Sequence, residues 1–183
     1  IITLVAGIAL SFTNIVTEGP IQQQIQKEND LARKSVLSNA DSFEEVNLDE
    51  IKSTIQWNDS YNMIQEVYRG KSGEKNVGYT FKVLPKGYGG EIELTVGITS
   101  EGKLEGIKIG SNSETPGLGA KAVEPEFQSQ YRGKTVEMEL TVVKTPATKD
   151  DEVQAITGAT ITSKAVTDGV NAAISLFKEG LQQ

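Results

Sequence analysis

Residues 91–109 read EIELTVGITSEGKLEGIKI. From Glu91 to Thr99 apolar and polar side chains alternate, the period of a strand with one buried face. The alternation returns from Leu104 to Ile109. Between the two runs, Ser100-Glu101-Gly102-Lys103 supplies a short glycine-bearing turn, so the pair reads as an antiparallel hairpin. Working outward, Met63 to Tyr68 and Val77 to Leu84 show the strand period upstream, and Val136 to Val143 shows it downstream. Helical spacing surrounds these strands. Asp41 to Trp57 carries Val46, Leu48, Ile51 and Ile55, and a short helix is expected over Val123 to Tyr131. A final helix runs from Thr162 to Leu181, with Val166, Val170, Ile174, Phe177 and Leu181 on one face. The pattern predicts an α+β fold, a mostly antiparallel sheet flanked by helices, and not a doubly wound parallel sheet.

The chain has 183 residues, of which 37% are hydrophobic and 23% charged, a balance that builds a core. Its net charge of −7 argues against binding along phosphate backbones. It contains no Cys and no His. That excludes disulfides, thiolate-held iron–sulfur clusters, zinc sites built on those ligands, and Ser-His-Asp or Cys-His catalysis. Any chemistry must come from carboxylates, hydroxyls, backbone groups, Lys or Arg, or a cofactor.

Residues 1–16 read IITLVAGIALSFTNIV and carry no charge; the first ionisable side chain is Glu18. Sixteen helical residues span about 24 Å against a hydrocarbon core of about 30 Å. The small residues Ala6, Gly7, Ala9 and Ser11 suit helix packing in lipid. The following residues offer no small-x-small cleavage site for a signal peptide. The expectation is one N-terminal transmembrane helix over residues 1–17, truncated at its start. After Glu18-Gly19-Pro20 the chain turns polar, with Ile21, Ile25, Val36 and Leu37 marking an amphipathic helix. Residues 18–60 are expected to form a helical connecting segment, and 61–183 the ligand-binding domain.

Two loops of small residues carry the functional signal. The first is Ser113-Glu114-Thr115-Pro116-Gly117-Leu118-Gly119-Ala120-Lys121, directly after a strand. Pro and paired Gly allow a tight path with exposed amides. Leu118 stands among small residues that cannot shield it, so the loop can pack an apolar side chain on a ring while hydrogen-bonding its edge. The second is Thr157-Gly158-Ala159-Thr160-Ile161-Thr162-Ser163, opening the last helix. One N-cap needs one hydroxyl, and here there are four. Free amides and the helix dipole favour an anion at that point. The spacing is not that of a Walker A loop.

With both loops in view, the chain resembles the FMN-binding domain family over Gly87 to Leu176, most closely the form found in the G subunit of the Rnf ion-translocating ferredoxin:NAD oxidoreductase complex. The C subunit of the sodium-pumping NADH:quinone reductase shares the domain. The resemblance implies a membrane-anchored electron-relay flavoprotein, with no catalytic residue of its own and no metal. Its FMN would be esterified through phosphate to Thr160, the last residue of the Thr157-Gly158-Ala159-Thr160 motif, by a separate flavin transferase. The resemblance also implies that Glu114, Thr115, Gly117, Leu118 and Gly119 lie at the flavin, with Tyr88 of the Gly87-Tyr88-Gly89-Gly90 stretch beside it. The partners implied are the other membrane subunits of the ion-translocating complex, with the soluble domain on the extracytoplasmic side. The alternative is a free-standing or noncovalent FMN-binding module. Two positions depart from the family pattern. Gln154 stands where an Asp usually precedes the acceptor motif, and Asn112 stands where a His often precedes the Glu-Thr-Pro-Gly loop.

Overall fold

The computed structural model describes residues 3, 19, 21 and 23–182. The chain divides into two compact units, Ile1–Ala32 and Arg33–Gln183. In the first, residues 23–32 are helical, with Ile25 and Leu31 exposed. Gln24 Nε2 donates to Glu28 Oε1 at 2.9 Å, one turn on. Among the described residues no helix is long and apolar enough to cross a membrane. The anchor expected over residues 1–16 lies outside the described residues, apart from Thr3.

The second unit is built on an antiparallel meander. Strands β1 (Ser42–Glu45), β2 (Ile64–Ser72), β3 (Lys75–Val83), β4 (Ile92–Thr99) and β5 (Leu104–Asn112) lie side by side in sequence order. Directly paired residues share a face. Val67, Phe81, Val96 and Ile107 form one cross-strand row, and Val83, Leu94 and Ile109 form the next. All are buried, and together they make an apolar floor. The long helix α3 (Thr160–Leu176) lies on that floor and continues as a π-helical turn over Phe177–Leu181. Its Val166, Val170, Ile174, Leu176 and Phe177 are buried. Gly169 brings the helix backbone close to Leu94 and Pro85, where a Cβ would stand 3.0 Å from Leu94 Cδ2. At the far end, the rings of Phe177 and Tyr79 meet edge to face at 5.9 Å. Each fully buried apolar side chain contributes roughly 1.5–3 kcal/mol, so this seam is the main source of stability.

The opposite face of the sheet seats the entry of the unit. Val36, Leu37 and Ala40 are buried over a patch of strand glycines. Gly70 lies under Leu37 and Ala40, and Gly97 lies under the Val36 backbone. Arg33 holds the segment from the side, with Nη2 2.8 Å from Glu66 Oε2 and its guanidinium 3.6 Å above the Tyr68 ring.

Four expectations need adjustment. The helix expected over Asp41 to Trp57 is an edge strand followed by a short helix α1 (Leu48–Thr54). Asn47 Oδ1 accepts the Asp49 N–H at 3.0 Å and so starts α1 late, leaving Ser42–Glu45 to pair with β2. The helix expected over Val123 to Tyr131 breaks into a 3-10 turn (Gly119–Val123), a short α2 (Pro125–Gln128) and a second 3-10 turn (Ser129–Tyr131). Pro125 has no N–H with which to continue the preceding turn. The strand expected over Val136 to Val143 shrinks to β6 (Thr141–Val143), which pairs in parallel with β7 (Glu152–Gln154). Upstream, Leu140 is satisfied by a side chain instead of a strand. Its N–H donates to Asn171 Oδ1 and its carbonyl accepts from Asn171 Nδ2, both at 2.9 Å. The last helix starts at Thr160, two residues earlier than expected.

Gly97→Ala tests the seat of Val36. Its Cβ would stand 2.6 Å from the Val36 carbonyl carbon, and backbone cannot step aside as a side chain can. The expected loss is about 1–3 kcal/mol, read as a lower urea midpoint. An unchanged midpoint would mean that the entry segment is not held by the sheet.

Candidate functional site

Antiparallel pairing brings the two loops to one end of the sheet. Strand β4 begins where β5 ends, with Ile92 opposite Asn112. The 84–91 connection into β4 and the loop leaving β5 at Ser113 are therefore neighbours. The seam with β4 holds the start of α3 at the same end.

Each loop has a local reason for its shape. Thr115-Pro116-Gly117-Leu118 is a tight turn closed by the Leu118 N–H on the Thr115 carbonyl at 3.1 Å, with Gly117 at φ 77°. Ile156-Thr157-Gly158-Ala159 is closed in the same way at 2.9 Å, with Gly158 at φ 77°. A positive φ at the third position of a turn is the place where glycine is favoured. The two turns touch, since a Cβ on Gly158 would stand 3.0 Å from Leu118 Cδ2.

Glu114 joins the three segments. It is 6% exposed. Its Oε1 accepts the Gly89 N–H at 2.8 Å, and its Oε2 accepts the Thr162 hydroxyl. Its own N–H donates to Asn112 Oδ1 at 3.2 Å, and Asn112 Nδ2 donates to the Gly110 carbonyl at 3.1 Å. Asn112 thus shapes the loop from within.

Between these segments lies a cleft of about 540 Å³, lined by Tyr88, Glu114, Thr115, Leu118, Gly119, Gly158, Ala159, Thr160, Ile161 and Thr162. Tyr88, Leu118 and Ile161 are 71%, 42% and 59% exposed. Three large apolar side chains left uncovered around one cleft mark a place where a ligand is accommodated. At its edge α3 begins with Ala159 in the cap position and no capping side chain. The first intrahelical amide bond is that of Ser163 N–H to the Ala159 carbonyl at 3.0 Å. The amides of Thr160, Ile161 and Thr162 precede it and point out of the helix start, where an anion is favoured.

The four hydroxyls divide into two pairs. Thr162 is buried and bonded to Glu114. Ser163 is buried, accepts the Ile156 N–H at 3.0 Å and donates to the Ala159 carbonyl at 3.0 Å. Thr157 and Thr160 are exposed, and of these Thr160 lines the cleft. Thr157 lines a neighbouring depression of about 210 Å³ with Lys121, Phe127, Gln130 and Gln154. Gln154 is pinned there by its backbone. Its N–H donates to Gln130 Oε1 at 2.7 Å and its carbonyl accepts from Gln130 Nε2 at 3.2 Å, leaving its side chain exposed.

Of the site residues expected from sequence, Glu114, Thr115, Leu118, Gly119, Gly158, Ala159, Thr160 and Tyr88 come together in the cleft. Gly117 shapes its turn without lining the cleft, and Thr157 faces the neighbouring depression. Sequence reasoning overlooked Ile161 and Thr162 as lining. The signal for the former was an Ile in the first helical turn on the side opposite the apolar stripe of Val166, Val170 and Ile174.

A hydrogen-bond chain steadies the helix start from beneath. The buried Tyr131 hydroxyl lies 2.8 Å from Thr167 Oγ1, and Thr167 donates to the Ser163 carbonyl at 2.9 Å.

Comparison with known proteins adds findings of three kinds. Residues 87–175 match the FMN-binding domain family. The G subunit of the Na(+)-translocating ferredoxin:NAD(+) oxidoreductase complex of Acetobacterium woodii is 44% identical over 183 residues, covering 97% of this chain and 87% of that one. The proton-translocating counterpart of Clostridium ljungdahlii is 39% identical over 172 residues, covering 93% and 83%. Among solved structures, Shewanella oneidensis NqrC superposes with a TM-score of 0.61 at 17% identity, covering 84% of this chain and 95% of that one. The C subunit of the Na(+)-translocating NADH-quinone reductase of Parabacteroides distasonis gives 0.59 at 22% identity, covering 79% of each chain. The last two show a shared fold.

Tyr131 predicts an alkaline limit to stability. Burial raises its phenol above the ordinary value of about 10. The unfolded chain therefore loses that proton first, and Tyr131's contribution, complete below pH 10, declines as pH rises further. Urea midpoints between pH 8 and 11.5 should fall more steeply in the parent than in Tyr131→Phe. Parallel profiles would remove Tyr131 from the account.

Proposed function

The chain belongs to the FMN-binding domain family, within the group formed by the G subunits of ion-translocating ferredoxin:NAD(+) oxidoreductase complexes, and from that premise we propose that it is the membrane-anchored flavoprotein component of such a complex. The observation that carries the site assignment is the division of the hydroxyls. Of the four at the helix start, Thr160 alone is both exposed and on the cleft.

The cleft fits FMN in chemistry and size. Its volume of about 540 Å³ lies within the range of about 300–1,000 Å³ usual for cofactor-sized ligands. Tyr88, Leu118 and Ile161 offer apolar surface to a flat ring, and the uncapped amides at the start of α3 suit a phosphate. Bound FMN supplies one- and two-electron chemistry that no side chain of this protein provides. The lining residues would hold the group, and the amide dipoles at the start of α3 would stabilise its phosphate charge, since no basic residue lines the cleft.

In this reading Thr160 carries the FMN phosphate as an ester. An alcohol does not displace water from a phosphate monoester, so the donor is a flavin phosphoanhydride such as FAD. A flavin transferase joins Thr160 Oγ to the flavin phosphorus. The anhydride bond breaks, the nucleotide phosphate leaves with the electron pair, and the hydroxyl proton passes to a base of the transferase. Residues 1–17 anchor the protein as a single span, supported by the uncharged run up to Glu18. The flavin domain then stands on the extracytoplasmic side beside the other membrane subunits, and electrons pass through it.

Thr160→Ala co-expressed with a flavin transferase is expected to lose the covalent gain in intact mass and to keep its fold. Thr162→Ala should still carry flavin on Thr160, and Gln154→Asp should be loaded equally or better. Flavin that survives denaturation on Thr160→Ala would move the acceptor to another hydroxyl. Leu118→Asp should shift the flavin absorption spectrum without removing a covalent cofactor. An unchanged spectrum would take Leu118 away from the ring.

A further inference from the structure

Glu114 poses a problem that the assignment of Thr160 does not solve. It is a carboxylate 6% exposed, yet its two hydrogen-bond donors are neutral, the Gly89 N–H and the Thr162 hydroxyl. A buried carboxylate without a cation is costly to keep. Its surroundings are nevertheless shaped to hold it. A Cβ on Gly119 would stand 2.6 Å from Thr162 Oγ1 and closer still to Glu114 Oε2, and one on Gly87 would meet Glu114 Oε1. Two of the cleft's segments make room for this one side chain.

We propose that Glu114 is a positioning residue for flavin attachment: its carboxylate ties the Gly89 turn to the first turn of α3 and so sets where Thr160 Oγ stands relative to Tyr88 and Leu118. The inference rests on the reading of Thr160 as acceptor. Thr162 is two residues from Thr160 in the same helical turn, so holding one hydroxyl fixes the backbone that carries the other. Glu114 Oε2 also occupies the Thr162 hydroxyl, which removes it as a rival acceptor. The other oxygen orients the turn that presents Tyr88. Displacing a reacting atom by about 1 Å can cost about a hundredfold in rate. Cutting the tie should therefore slow attachment without abolishing it.

Gln can replace Glu here without breaking either bond. Its carbonyl oxygen accepts from Gly89, and its NH₂ donates to a Thr162 hydroxyl that turns to accept. Ala makes neither bond. The test uses the full chain in detergent with a flavin transferase and FAD as donor, followed by intact mass. Glu114→Ala is expected to be flavinylated at least tenfold more slowly, with the transferase's KM for the chain unchanged. Glu114→Gln should stay within about threefold of the parent, and Thr162→Val should be slowed several-fold. Hydrogen exchange on the unloaded chain supplies a readout independent of covalent attachment. Residues 87–90 and the bonded helical amides of 163–166 should both exchange faster in Glu114→Ala and neither in Glu114→Gln.

Parent-like labelling of Glu114→Ala would overturn the proposal. So would Glu114→Gln as slow as Glu114→Ala, since the charge and not the tie would then be acting. If Glu114→Ala fails to fold, Thr162→Val decides: a folded Thr162→Val labelled at the parent rate refutes the tie. If the parent chain takes up no covalent flavin, the acceptor reading falls, and exchange at 163–166 still decides whether Glu114 holds the helix start.

Discussion

The structure depends on burying the apolar stripe of α3 against the floor of the five-stranded meander. Val166, Val170, Ile174 and Phe177 bury in the same core cluster as the floor residues Phe81, Leu94 and Val96. Once that seam closes, the register of the helix is set by the approach of Gly169 to Leu94 and Pro85. The start of the helix must then lie at the end of the sheet where β4 begins and β5 finishes. Placement of the site is a consequence of core packing.

That placement gives each loop a separate task. The 84–91 connection presents Tyr88, the loop after β5 presents Leu118, and the start of α3 presents Thr160 with free amides. None of these groups belongs to the core, and the large apolar ones stay exposed. The polar bonds that hold the loops lie one layer deeper, where Glu114, Thr162, Ser163 and Thr167 are buried. A rigid polar layer under an open apolar cleft is the arrangement expected of a site whose chemistry is brought by a cofactor. Burial of Thr162 and Ser163 leaves Thr157 and Thr160 exposed, and of the two only Thr160 lines the cleft.

Absence of Cys and His closes the usual routes for linking a flavin ring to a side chain. The phosphate link proposed for Thr160 would leave the ring system unaltered and would need only a hydroxyl at a point of positive potential. The start of a helix supplies that potential from backbone dipoles, so an acidic chain can hold an anion without recruiting a lysine. The local device is thus compatible with a net charge of −7.

Much was legible before the fold was known, because it rests on local physics. Period-two alternation over 91–109 specified a hairpin, and the stripe from Val166 to Leu181 specified the covering helix. One proline, with glycines and hydroxyls, at 113–121 and 157–163 marked two turns and a helix start. What remained hidden depends on partners distant in sequence. Ser42–Glu45 is a strand because β2 offers an open edge, which no local period reveals. Val136 to Leu140 is not a strand because Asn171, on another element, satisfies Leu140. The distinction among the hydroxyls was equally invisible, since Thr157, Thr160, Thr162 and Ser163 look equivalent in a line of text. Tertiary structure separates them by burial and by the position of Glu114, which lies 48 residues before Thr162 and is brought against it only when helix and sheet close. Periodicity is a property of neighbours along the chain, whereas burial and hydrogen-bond satisfaction are properties of neighbours in space.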